Sequence, residues 1–125
     1  MKKIVYTDNA PKAVGPYSQA VMMGDFMFCS GQISIDPKTN EVYIDDITKQ
    51  TEMVIKNIQA VLAAENMTLN NIVKSTIFLT SMSDFAAVND VYGKAFTEAP
   101  PARSTIAVAG LPKGVKVEIE VIAHR

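Results

Sequence analysis

The chain reads as an α+β sandwich: one β-sheet with two helices on a single face. Three observations predict this. Two segments place apolar residues at three- and four-residue spacing, the signature of amphipathic helices. Six others alternate or are dense in β-branched residues, separated by Gly, Pro, Asn and Asp turns. The 125 residues contain no repeat, low-complexity stretch or linker, so 1–125 is read as a single domain.

Ile4 to Thr7 is the first short strand, followed by a loop carrying Pro11, Gly15 and Pro16. Ser18 to Met23 and Phe26 to Ile33 form a hairpin across Gly24-Asp25, a two-residue turn signal. Asp36-Pro37-Lys38-Thr39-Asn40 is a turn by composition. From Asp46 to Glu65 the period changes: Ile47, Thr51, Val54, Ile58 and Val61 share one helical face, with acidic residues at the start. Ile72 to Thr80 is a strand. Ser83 is positioned to N-cap a second helix with the stripe Phe85, Val88, Tyr92 and Phe96. Ala99-Pro100-Pro101 ends that helix, since proline neither extends a helix nor tolerates a helical predecessor. Arg103 to Ala109 and Val115 to Ala123 are the last strands, giving the order β-β-β-α-β-α-β-β.

Composition narrows the function classes. Net charge is −1 and the twelve Lys and Arg residues are scattered, so the basic stripe expected of a general nucleic-acid binder is missing. One Cys and one His supply neither a disulfide nor a typical zinc site. The opening apolar run is too short for a signal peptide and no stretch could span a bilayer, so a cytoplasmic location is expected.

Strand alternation sorts the sheet into two faces. Met27, Cys29, Ile33, Val73, Ile77, Leu79, Ile106, Val108, Val117, Ile119 and Val121 form an apolar set expected beneath the helices. The other set mixes Phe26, Phe28, Ser30, Gln32, Lys74, Thr76, Phe78, Thr80, Arg103, Thr105, Ala107, Lys116, Glu118, Glu120 and Ile122. It is too polar for a core and too aromatic for plain solvent. A subunit interface in a homo-oligomer fits it; a solvated face with stray apolar residues is the alternative.

This sorting sets Arg103 and Glu118 on one surface. A guanidinium fork suits a small carboxylate, and a neighbouring glutamate can handle protons or water. The competing reading is a structural salt bridge from Arg103 to Glu118 or Glu120. The two glutamates, roughly 7 Å apart along the strand, would also suit glycoside hydrolysis. With no Trp to stack a sugar, that is the weaker reading. Gly15-Pro16-Tyr17 is a rigid turn presenting a tyrosine. Ser30 and Gly31 sit near a strand end, Asn89 lies beside the second helix's stripe, and Cys29 falls on the apolar set as a structural thiol.

Gly15-Pro16-Tyr17-Ser18-Gln19-Ala20, Ser30-Gly31-Gln32-Ile33, Pro101-Ala102-Arg103-Ser104, Leu111-Pro112-Lys113 and Val117-Glu118-Ile119-Glu120-Val121-Ile122-Ala123 together strongly resemble the Rid (reactive imine deaminase, YjgF-like) family. The resemblance runs from about residue 4 to residue 123, and its specificity lies in the ordered set. It implies a chorismate-mutase-like fold assembled as a homotrimer with three interfacial clefts. It also implies hydrolysis of 2-iminobutanoate and 2-iminopropanoate, released by pyridoxal-phosphate dehydratases, to 2-keto acids and ammonia. Neither a metal nor an organic cofactor is implied, and the partners are small imino and keto acids rather than nucleic acid or membrane. Arg103 matches the family's carboxylate-binding arginine and Glu118 its water-orienting glutamate. Tyr17, Ser30, Gly31 and Asn89 match cleft-lining positions. Thr105 stands where many deaminase members carry Cys, at a position used mainly through its backbone. A keto-acid-binding regulatory module and a ribonuclease are the other functions considered.

Overall fold

The computed structural model describes all residues, 1–125. Its strands are β1 (Lys3–Val5), β2 (Ala20–Met23), β3 (Phe26–Gln32), β4 (Ile72–Leu79), β5 (Ala102–Ala107) and β6 (Val117–His124), and its helices α1 (Ile47–Ala63) and α2 (Phe85–Ala95). The element order matches the sequence reading, with ends shifted by at most two residues. The sheet runs β1-β2-β3-β6-β4-β5 and is antiparallel except for the β4–β5 pair. That parallel pair needs a crossover, which α2 supplies.

Local chemistry accounts for the elements. Gly24 takes φ +59° in the hairpin turn, where Met23 pairs with Phe26. Asp46 caps α1, its carboxylate accepting from the Thr48 and Lys49 amides. Ser83 is not the cap of α2. Ser81 instead caps a short 3-10 turn over Met82–Asp84 that leads into the helix, and the Ser83 hydroxyl pairs with that of Ser81 at 2.7 Å.

The core lies between the helices and one sheet face. Val54, Ile58, Val61 and Leu62 of α1 and Val88 and Tyr92 of α2 join Met27, Ile77, Leu79, Val117, Ile119 and Val121 in one buried cluster. The opposite face carries exposed Phe26 and Phe28, half-buried Phe78 and Ile122, and both β6 glutamates.

Two bulges and one edge strand break the expected alternation. Between Cys29 and Gln32, β3 spends one more residue than its partner β6, so Gln32 turns inward and is buried. Between Ile72 and Lys74, β4 does the same: Ile72 is buried and Val73, expected in the core, is exposed. On β5 the expected faces are reversed. Ser75 pairs with Arg103 and Ile77 with Thr105, so Arg103 and Thr105 share the helix face with buried Ser75 and Ile77. Ile106, expected in the core, pairs with Phe78 on the open face and is 46% exposed.

Candidate active site

The reversal of β5 divides the predicted site residues between the two faces of the sheet. Tyr17, Ser30, Gly31 and Glu118 gather around the open face; Arg103, Thr105 and Asn89 lie at the helix side of the β5 edge. Arg103 and Glu118 therefore do not share a surface within one chain, contrary to the expectation from alternation. Strand β4 separates their strands by about two inter-strand spacings, or ~10 Å. The β5 residue level with Glu118 is Ile106, so Arg103 also lies further along the strand.

The open-face group is built on the β3 bulge. Gly31 leaves room that any side chain would take: a Cβ added there would lie 2.1 Å from Glu118 Oε2 and 2.7 Å from its Cδ. The Glu118 carboxylate thus rests directly on the bulged backbone. Its half-burial raises its pKa first, and the Glu120 charge raises it further. Ser30 Oγ donates to the Ser18 carbonyl at 2.5 Å, and the Ser30 amide donates to the Gln19 carbonyl at 3.0 Å. Buried Gln19 anchors the N-terminal loop, accepting from the Thr7 amide and donating to the Thr7 and Pro11 carbonyls. Exposed Tyr17 shares an open depression with Ser18, Phe28 and Ser30. Cys29 faces the core, where burial pushes its thiol up to about 12.

At the edge, Arg103 is bound to neutral groups alone. Its Nη1 donates to Asn89 Oδ1 at 2.8 Å, and its guanidinium carbon lies 5.0 Å from the centre of the Tyr92 ring and 5.7 Å from that of Phe85. The ion pairs in the molecule join Lys3 and Arg125 to Glu65 and Lys94 to Asp90. Arg103 is in none of them, which removes the salt-bridge reading. Thr105 Oγ1 is buried without a partner. Phe85 and Tyr92 entered the sequence reading only as core stripe. Their spacing from Asn89, four residues before and three after, was the available signal that all three share one helical face with it.

Comparison with known proteins places the chain by its sequence and fold. The family model described as Endoribonuclease L-PSP matches residues 7–125. The RutC family protein PH0854 of Pyrococcus horikoshii is 50% identical, covering 100% of this chain and 99% of the relative. The 2-iminobutanoate/2-iminopropanoate deaminase of Salmonella typhimurium is 45% identical across 100% of this chain and 99% of its own. A crystal structure of a Yersinia pestis protein of the conserved Rid family superposes with TM-score 0.96 at 48% identity, covering 100% of both chains. The chain belongs to the Rid family. Another solved Rid-type structure, E. coli TdcF with bound serine, matches with TM-score 0.94 at 42% identity over 98% of each chain. Within the Rid family fold, the sheet edge presents an unneutralised guanidinium and the open face a half-buried carboxylate.

Proposed function

We propose that this protein is a 2-iminobutanoate/2-iminopropanoate deaminase that works as a homotrimer, with each site shared between neighbouring subunits. The observation that carries the reading is Arg103: a sheet-edge arginine held by an amide and two aromatic rings, with no carboxylate to neutralise it. Such a fork suits a small carboxylate arriving from solution. Two relatives add support, one bearing the deaminase name and the other serine, a small amino acid.

The two half-sites face opposite ways in one chain, so the Arg103 edge of one subunit must meet the Glu118 face of the next. Cyclic symmetry would repeat that junction at every interface. The exposed Phe26 and Phe28 and the half-buried Ile122 on the open face supply apolar surface for it.

In the reaction, Arg103 holds the substrate carboxylate and Glu118, as carboxylate, takes a proton from water as its oxygen attacks the protonated imine carbon. The new C–O bond gives a carbinolamine. Glu118 then returns its proton to nitrogen. The regenerated carboxylate takes the hydroxyl proton as the C=O bond forms and the C–N bond breaks, releasing a 2-keto acid and ammonia. That proton passes to the ammonia or to solvent. General acid–base assistance of this kind contributes about 10²–10⁴-fold.

A threonine dehydratase generating imine in situ tests the reading, with 2-ketobutyrate release followed in the presence and absence of this protein. Arg103→Ala is expected to lose roughly 10²-fold or more in kcat/KM, the scale of two charge-assisted hydrogen bonds. Undiminished turnover in that variant would refute the role of Arg103. Keto-acid binding without faster release would mark a regulatory module instead. The ribonuclease suggested by the family model's description finds no basic track here, and RNA cleavage that survives Arg103→Ala and Glu118→Gln would be required to revive it.

A further inference from the structure

Arg103 is the one strong anion-binding group at the edge, yet it stands on a long and flexible side chain. A bidentate clamp loses affinity if the fork must be ordered anew for each ligand. The structure contains the means of ordering it beforehand. Phe85, Asn89 and Tyr92 lie on the same face of α2, one turn apart in succession, and all three touch the guanidinium. Asn89 takes a hydrogen from Nη1, while the two rings lie within cation–π range. The Nε–Nη2 edge, which carries the paired donors a carboxylate needs, is left unspent.

The bed itself is fixed from beneath. Tyr92 is 4% exposed, and its hydroxyl pairs with that of fully buried Ser75 at 2.6 Å. Its ring also packs on Phe96 at 4.3 Å between centroids. Ser75 is the residue of β4 that pairs with Arg103 on β5. Thus one strand position carries the arginine, its neighbour across the ladder carries the serine, and Tyr92 closes the loop between them. Tyr92 is too deeply buried to meet a ligand.

We infer that Tyr92, anchored by Ser75, is a positioning residue for substrate binding: with Phe85 and Asn89 it holds the Arg103 fork in its ligand-ready orientation. The inference rests on the proposed role of Arg103 as a carboxylate clamp and extends it to Tyr92 and Ser75, which are buried out of a ligand's reach. Asn89 also changes role, since its Oδ1 serves the arginine first.

Calorimetric titration of the intact protein with 2-oxobutanoate, the unreactive product, tests this without needing turnover. Tyr92→Leu is expected to weaken binding about tenfold, the scale of a partly desolvated cation–π contact. Tyr92→Phe combined with Ser75→Ala keeps the ring but removes the anchor, both buried hydroxyls together, and it is expected to weaken binding about threefold, less than loss of the ring. Asn89→Ala, at an exposed position, gives an independent loss should Tyr92→Leu fail to fold. With imine as substrate, Tyr92→Leu should raise KM more than it lowers kcat. Binding abolished by Arg103→Ala but unchanged in both Tyr92→Leu and Asn89→Ala overturns the inference and leaves the clamp standing. Binding that survives Arg103→Ala removes the clamp itself, and the positioning role falls with it.

Discussion

Glu118 sits where ionising is costly: the fold takes it partly out of water and sets a second carboxylate two residues away on the same face. Both effects raise its pKa, burial being the larger. The sign of the linkage follows. A carboxyl that binds its proton more tightly in the folded chain contributes stability that is full below the unfolded pKa and lost as pH rises through the folded one. Thermal melts of Glu118→Gln should therefore gain on the parent as pH climbs through that window. Catalysis needs the carboxylate, so the acid limb of kcat/KM should lie above the ordinary glutamate range. Glu120→Gln removes the smaller cause and should move that limb to lower pH, leaving it still raised by burial. A limb that stays in place on titration of this variant would show that Glu120 does not govern Glu118.

At the level of elements, the β3 bulge decides whether the carboxylate has a seat. Gly31→Ala would drive a methyl group into the Glu118 carboxylate, whose flexible end can swing aside while the backbone stays. The expected result is a folded protein with a melting temperature near the parent and activity down by about 10²-fold, as for a catalytic group displaced by an ångström. Near-parent turnover in the in situ imine assay would show that the close seat is unimportant. The bulges also mark what the sequence concealed. Helix α1, the hairpin at Gly24-Asp25 and the β6 alternation were legible because each follows from a local period or turn. Gln32 and Val73 were misplaced because an inserted residue inverts the assignment on its far side, and nothing in composition marks the insertion. Strand β5 was hardest. Alternation put charged Arg103 on the polar face, but α2 overrides polarity there, because its aromatic and amide groups receive the arginine on the helix side. Arg103 and Glu118, read onto one face from alternation, lie on opposite faces of the sheet.

For the whole molecule, that separation ties the proposed chemistry to the proposed trimer. Phe28, 47% exposed at the centre of the open face, pairs with Val21 and Ile122 on its flanking strands. Phe28→Glu places a charge on the surface that the proposed trimer buries, where an unpaired carboxylate is heavily penalised. The variant should sediment as a folded monomer and lose imine turnover although Arg103, Glu118 and Gly31 are untouched. A monomeric variant with full activity would mean that one chain completes the site unaided. The mixed polarity of this face was readable from the sequence; the number of subunits came only from family resemblance.

The position of β6 carries a consequence for how the protein is made. It is the last strand in the chain but lies at the middle of the sheet, between β3 and β4. Until residues 117–124 have left the ribosome, β1-β2-β3 and β4-β5 are two ribbons with no strand joining them. Closure of the sheet therefore depends on contacts distant in sequence. A chain short of β6 is expected to expose the unpaired edges of β3 and β4, the kind of surface that chaperones shield.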